Sequence, residues 1–196
     1  MRVTRAKHPP SDGVAEDLPR VLRSRSVYSG RLVSLRVDDI ALPRGGTALR
    51  EVVDHPGAVV VVAVDDQGRV YLVRQYRHPI RQDLLELPAG ALEPDEEPLS
   101  AAKRELREEV GLEAMSWTAL GSFFSSPGFA NERLHAYLAQ RLTWVTRDPD
   151  YDEDISVVPY PLGELLEHPE QVPDAKTLAA LLLANRALSD KAENVT

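Results

Sequence analysis

The chain has 196 residues, no cysteine and a formal net charge of −8, so disulfide stapling, thiol catalysis and cysteine-ligated metals are excluded. The acidic balance argues against a nucleic-acid-binding surface as the main role. It leaves room for a small anionic substrate, because bound cations can dominate the local field.

The length is most simply one domain with extensions, ample for a core. Arg2, Arg5 and Lys7 near the N-terminus are not followed by an apolar h-region, and no stretch is long and apolar enough to span a bilayer. The expectation is a cytoplasmic protein with neither a nucleic-acid nor a membrane partner.

Residues 1–19 are polar and broken by Pro9, Pro10 and Pro19, which reads as a flexible arm. Residues 20–54 read as an antiparallel strand unit. The pattern becomes strand-like from Val21, residues 32–37 form one strand, Pro43-Arg44-Gly45-Gly46 a turn, and residues 48–53 a second strand. Residues 55–196 read as the main domain. Residues 58–64 are a nearly continuous valine run, as in a strand buried on both faces. Asp65-Asp66-Gln67-Gly68 turns the chain into a strand over 70–75, and residues 84–87 are short and extended. Strands over 117–124 and 134–139 flank the loop 125–132. An acidic loop, 147–154, precedes a strand at 155–158, a short helix at 162–167 and a helix at 175–188 with Asp174 as N-cap. No internal repeat is visible.

The most informative segment is residues 90–112. Gly90 is followed after five residues by Glu96, and after seven more by Arg104-Glu105-Leu106-Arg107-Glu108-Glu109-Val110-Gly111-Leu112. Pro98 suits the first turn of a helix and Gly111 its left-handed C-terminal stop. Leu99, Ala102, Leu106 and Val110 make an apolar stripe at helical spacing. Glu105, Glu108 and Glu109, at i, i+3 and i+4, share another face, where like charges repel. A divalent cation would reverse that sign, since hard cations take carboxylate oxygens. Arg104, four residues before Glu108, can hold that carboxylate in place. A bare acidic run on a helix is ordinarily a solvated face; with the two glycines, Glu96 and Arg104 in register, it points to a metal site.

The spacing G-x5-E-x7-R-E-U-x-E-E-x-G-U, with U a bulky aliphatic residue, resembles the Nudix box. That resemblance implies a Nudix-type α/β/α sandwich with mixed sheets, an α/β fold that would follow the N-terminal antiparallel strand unit. It also implies cleavage of a nucleoside diphosphate linked to another group. Segments outside the box resemble the ADP-ribose pyrophosphatase subfamily: Gln75-Tyr76-Arg77, Glu86-Leu87-Pro88-Ala89-Gly90, and Pro127 in Ser126-Pro127-Gly128-Phe129, sixteen residues beyond Gly111. His55-Pro56-Gly57-Ala58 and Asp174-Ala175-Lys176-Thr177 are further similarities.

The subfamily resemblance implies hydrolysis of ADP-ribose to AMP and ribose 5-phosphate. Two or three Mg²⁺ or Mn²⁺ ions would be held by Glu105, Glu108, Glu109 and the Ala89 carbonyl, with Arg104 and Glu108 in the catalytic machinery. Arg77 would fork onto a phosphate or stack on adenine, and it could equally be one partner of an ion pair. Arg50 would reach the pocket of a partner subunit, because these enzymes exchange N-terminal strands in a homodimer. Pro127 and Gly128 would border the substrate, and Arg31, near Tyr28, stands where the subfamily has an aromatic ring on adenine. In the acidic loop Glu153 is the candidate for acting on the attacking water, with Asp152 and Asp154 as alternatives; Tyr151 takes a place where some relatives carry a further glutamate. The competing readings are hydrolysis of another nucleotide sugar, such as a GDP-sugar, and a non-catalytic Nudix-like ADP-ribose sensor.

Overall fold

The computed structural model describes residues 18–147 and 154–193. The chain divides into two compact units, residues 1–53 and 54–196.

The first unit is a three-stranded sheet in the order β1 (Arg20–Ser29), β2 (Ser34–Ala41), β3 (Thr47–Asp54). β1 and β2 are antiparallel, from Arg20 opposite Ala41 to Ser29 opposite Ser34. The strand expected at 32–37 instead starts at Ser34 and runs to Ala41. Residues 30–33 are spent on the turn, closed by a 3.0 Å bond from the Gly30 N–H to the Val33 carbonyl. The turn after β2 places Gly45 and Gly46 at φ 89° and 87°, where a side chain would be strained. The one buried acid of this sheet, Asp38, accepts bonds from Ser24 Oγ at 2.6 Å and Arg36 Nε at 3.0 Å.

The second unit holds β4 (Ala58–Val64), β5 (Arg69–Arg77), β6 (Gln82–Glu86), β7 (Ala89–Ala91), β8 (Leu112–Phe124), β9 (Arg133–Trp144) and β10 (Ile155–Pro161). Its path is β10-β5-β4-β9-β8, with β6 on β5 and β7 on β4. β4 and β9 are parallel, and the other pairings are antiparallel. The valine run is buried throughout because both its faces are covered. Val60, Val62 and Val64 pack with Leu165 of α2 (Leu162–Glu167) and with Ala180, Leu181 and Ala184 of α3 (Ala175–Glu193). Val59, Val61 and Ala63 pack with Ala101 and Ala102 of α1 (Pro98–Glu105) and with Leu106 and Val110. Helices therefore lie on both faces of a mixed sheet, the α/β/α arrangement. Among the described residues no helix is long and apolar enough to cross a membrane.

The helix of the 90–112 segment starts at Pro98 as its sequence requires, but it does not stay α-helical. Residues Leu106–Val110 widen into one π turn, ended by Gly111 in the left-handed region. The expected stripe is buried at Ala102, Leu106 and Val110 but is off at its first member: Leu99, in the first turn, is exposed, and Ala101 is buried instead. β8 begins directly after Gly111, earlier than the apolar run suggested, because Glu113 and Met115 face solvent there. At α3, Asp174 Oδ2 accepts from the Thr177 N–H at 3.0 Å and from its hydroxyl at 2.6 Å, the capping role its position implied.

A Cβ on Gly111 would sit at φ 77° and 3.2 Å from the Val145 carbonyl oxygen. Gly111→Ala is expected to lower the unfolding free energy by about 1 kcal/mol or more. Urea titration checks this; an unchanged midpoint would show that the helix stop tolerates a side chain.

Candidate active site

The turn Leu106–Val110 and the extended segment leading into β7 bring the box residues together. The Arg104 guanidinium is the meeting point. Nε and Nη2 fork onto Glu96 at 3.0 and 2.9 Å, and Nη1 donates to Glu105 at 2.7 Å and Glu108 at 3.0 Å. Nη2 also reaches the Ala91 carbonyl at 3.2 Å. The bond to Glu96 most of all holds the Arg104 guanidinium even more firmly protonated than usual. The same bond holds the Glu96 carboxyl below the ordinary carboxylate range. Opposite, the Ala89 N–H donates to Glu109 Oε2 at 3.0 Å.

Glycine at position 90 leaves room for the Glu105 carboxylate where it stands. A Cβ built there would overlap the Glu105 carboxylate, so the helix carboxylate lies directly against the β7 backbone. Glu105 and Glu109 are buried and Glu108 is partly open. One guanidinium thus gathers three of four closely set carboxylates. Among the described residues no three acidic or histidine side chains already stand around one metal position, but in its chemistry this hard-oxygen donor set suits a divalent cation.

A second polar network braces the same segment from the other side. Arg77 Nε and Nη2 fork onto Glu86 at 2.8 and 2.7 Å. Lys176 Nζ bonds Glu86 as well, and Asp174 at 2.9 Å. The Thr177 hydroxyl accepts from the Leu87 N–H at 2.9 Å. Burial pushes the Glu86 carboxyl up, but the Arg77 bonds and the Lys176 charge outweigh it and leave it below its ordinary value.

The NUDIX domain family matches residues 54–181. The chain belongs to the Nudix family. It is 41% identical over 166 residues to the ADP-ribose pyrophosphatase of Bacillus subtilis (strain 168), covering 83% of this chain and 90% of that protein. It is 40% identical to the methanol dehydrogenase activator of Bacillus methanolicus, with the same coverage. A crystal structure of ADP compounds hydrolase matches with a TM-score of 0.79 and 26% identity, over 91% of this chain and 98% of that one. The protein is a Nudix hydrolase, a kind of enzyme that generally depends on a divalent metal.

Within this Nudix hydrolase, Ala89, Arg104, Glu105, Glu108 and Glu109 come together as one cluster, and Arg77 is the ion-pair partner of Glu86. Pro127 and Gly128 lie in an exposed turn in which the Ser126 carbonyl accepts from Phe129 and Ala130 at 3.2 and 3.0 Å. Asn131 ties that turn to the start of the unit, accepting from the His55 N–H at 2.9 Å and donating to Asp54 at 2.8 Å. Arg31 and Arg50 belong to the first unit; both are exposed, and Arg50 donates to the Leu49 carbonyl at 2.9 Å. Asp154 is exposed, whereas Tyr151, Asp152 and Glu153 lie outside the described residues. Sequence reasoning gave no role to Glu86 or Lys176, although both stand in segments that carried the subfamily resemblance. The signal was an acid inside an otherwise apolar stretch, Leu84-Leu85-Glu86-Leu87, which needs a cationic partner if buried.

Glu86→Gln removes the shared anion of two cations. It is expected to destabilise the protein by about 3–5 kcal/mol at neutral pH, as for other broken buried pairs. A depressed carboxyl gives stability that is complete above its unfolded value, near 4.5, and lost as pH falls through the folded value. The gap between wild type and variant should therefore close only below about pH 4.5. Chemical denaturation across pH 3–8 (roughly) would show it; a constant gap would mean that the carboxylate charge is not what holds the network.

Proposed function

We propose that this Nudix hydrolase cleaves the pyrophosphate of ADP-ribose with water, giving AMP and ribose 5-phosphate. The observation that carries the reading is Arg104 drawing Glu96, Glu105 and Glu108 together, with Glu109 beside them on the Ala89 N–H. The names of the Bacillus subtilis relative and of the matched crystal structure support the substrate class. Two or three Mg²⁺ or Mn²⁺ ions, on Glu105, Glu108, Glu109 and the Ala89 carbonyl, would supply the positive charge that an anionic pyrophosphate needs near these carboxylates, and would activate water.

The chain's own groups do the rest. Arg104 keeps the carboxylates from splaying. Arg77, fixed by Glu86, is oriented to meet a phosphate, and the Pro127–Gly128 turn borders the substrate. Glu153 takes the proton of the attacking water as its oxygen bonds phosphorus and the bridging P–O bond breaks. General-base help of that kind is worth about 10²–10⁴-fold. Residues 20–54 form the dimerising unit and bring Arg50 and Arg31 to a pocket shared with the partner subunit. Support for a dimer comes from β1, exposed along its whole length with Val21, Leu22, Val27 and Tyr28 open to solvent; a small sheet seldom stands alone with such a surface. Residues 55–196 form the hydrolase domain, and the protein works in the cytoplasm.

Product analysis of a nucleotide-sugar panel with Mg²⁺ tests the substrate. ADP-ribose should give AMP and ribose 5-phosphate faster than GDP-sugars or dinucleoside polyphosphates react; binding without turnover would favour a sensor. Glu109→Gln should abolish most turnover while the metal-free melting temperature stays near wild type, and a large drop in that temperature would make Glu109 structural. Glu153→Gln should lower single-turnover rates by about 10²-fold or more with little change in affinity for a non-hydrolysable analogue. If Asp152→Asn is the severe variant instead, the loop is right and the acid is wrong.

A further inference from the structure

β5 sends alternate side chains to opposite faces of its sheet. Tyr71 and Val73 pack with Ala101, Ala102, Leu106 and Val110, and β5 lies against the turn Leu106–Val110. Gln75 is next on that row. Its partner across β10 is Ile155, which belongs to the same cluster as Val73, and directly opposed residues share a face. Beyond it, Arg77 is close enough to feel the charge of Glu109. Gln75 therefore stands between the apolar floor of the helix turn and the residues that face the carboxylates.

Among the described residues, Gln75 Oε1 is the one buried side-chain nitrogen or oxygen without a hydrogen-bond partner. Its flanking side chains, Leu84 on β6 and Ile155 on β10, have no donor to offer. Glu86, opposite Val73 on β6, shares this face and accepts when ionised, as does Glu109, whose charge acts on Arg77; Arg77 itself is bonded to Glu86. Native proteins rarely bury an unmatched amide oxygen unless water, an ion or a ligand satisfies it. Here the missing partner must be a donor, and it must tolerate carboxylates around it. Water held by a cation meets both conditions, since such water is a strong donor and Mg²⁺ keeps several of its waters when bound by a few carboxylates.

We infer that Gln75 is a positioning residue of the divalent-metal site, its carboxamide oxygen accepting a hydrogen bond from a water in the shell of a cation held at Glu105 and Glu109. The inference rests on the metal-dependent hydrolysis proposed above. Partners of this outer kind orient what the metal holds, and losing one typically costs 10–100-fold in metal affinity.

Gln75→Leu keeps the bulk of the side chain and deletes the acceptor. In chelator, the variant should melt at the wild-type temperature or above it, because an unmatched buried oxygen is gone. Calorimetric titration with Mg²⁺ or Mn²⁺ alone should show affinity weakened by about 10-fold or more, with a smaller metal-induced rise in melting temperature. Gln75→Glu, which restores an oxygen acceptor, should bind the metal at least as well as wild type. Wild-type metal affinity in Gln75→Leu overturns the inference and leaves the metal site standing. So does a metal-free Gln75→Leu that fails to fold or melts well below wild type, because the amide would then be structural. Wild type that binds neither ion overturns the metal reading and this inference with it.

Discussion

The site depends on one guanidinium. Glu96, Glu105 and Glu108 would repel one another, and two of them ride on a helix that gains nothing from their proximity. Arg104 meets all three with N–H bonds of 2.7–3.0 Å and takes the Ala91 carbonyl as well. Only a planar fork with several fixed donors spans a loop carboxylate, two helix carboxylates and a strand carbonyl at once. In doing so it fastens the segment after β7 to the helix, so loop and carboxylates cannot move independently.

The rest of the fold keeps that clamp in register. β4 shares one edge between β7, at Ala58–Val60, and β5, at Val64. Between them the Val61 N–H bonds the Pro88 carbonyl at 2.9 Å. Residues 87–91 are thus tied to the central strand, and also to α3 through Thr177 and to the helix turn through Glu109. The Glu86 network anchors the start of this segment, and the bare backbone of Gly90 lets Glu105 press against its end. Each tie is modest alone. Together they hold the segment that carries Ala89 and Gly90 against the helix turn that carries Glu105 and Glu109.

Much of this could be read from the sequence, and the gaps have physical causes. The valine run, Pro98 as helix start, Gly111 as helix stop and Asp174 as cap each depend on local rules, and each took the expected form. The stripe held at Ala102, Leu106 and Val110 and failed only at Leu99, in the first turn of α1, where the helix end is open to solvent and Ala101 is buried instead. β8 and β9 outran their apolar patterns because their far ends pair with one another, Leu112 opposite Trp144, with little burial on the outer side. Arg104 bonding Glu108 followed from i, i+4 spacing, but its hold on Glu96 needed the loop to fold back, which spacing alone does not describe. Glu86 and Lys176 are ninety residues apart, and no local signal joins them. Gln75 was visible only as part of a motif; its unmatched oxygen is a property of packing.

The most direct test is the stability of Arg104→Met with and without a divalent cation. In chelator the variant should melt well below wild type, because the carboxylates it leaves behind repel unopposed. Saturating Mg²⁺ should recover a substantial part of that deficit, since a cation on Glu105, Glu108 and Glu109 takes over the same neutralisation. A deficit of equal size with and without Mg²⁺ would contradict the account: the clamp would then be a structural ion-pair cluster, and the carboxylates would not be a metal site.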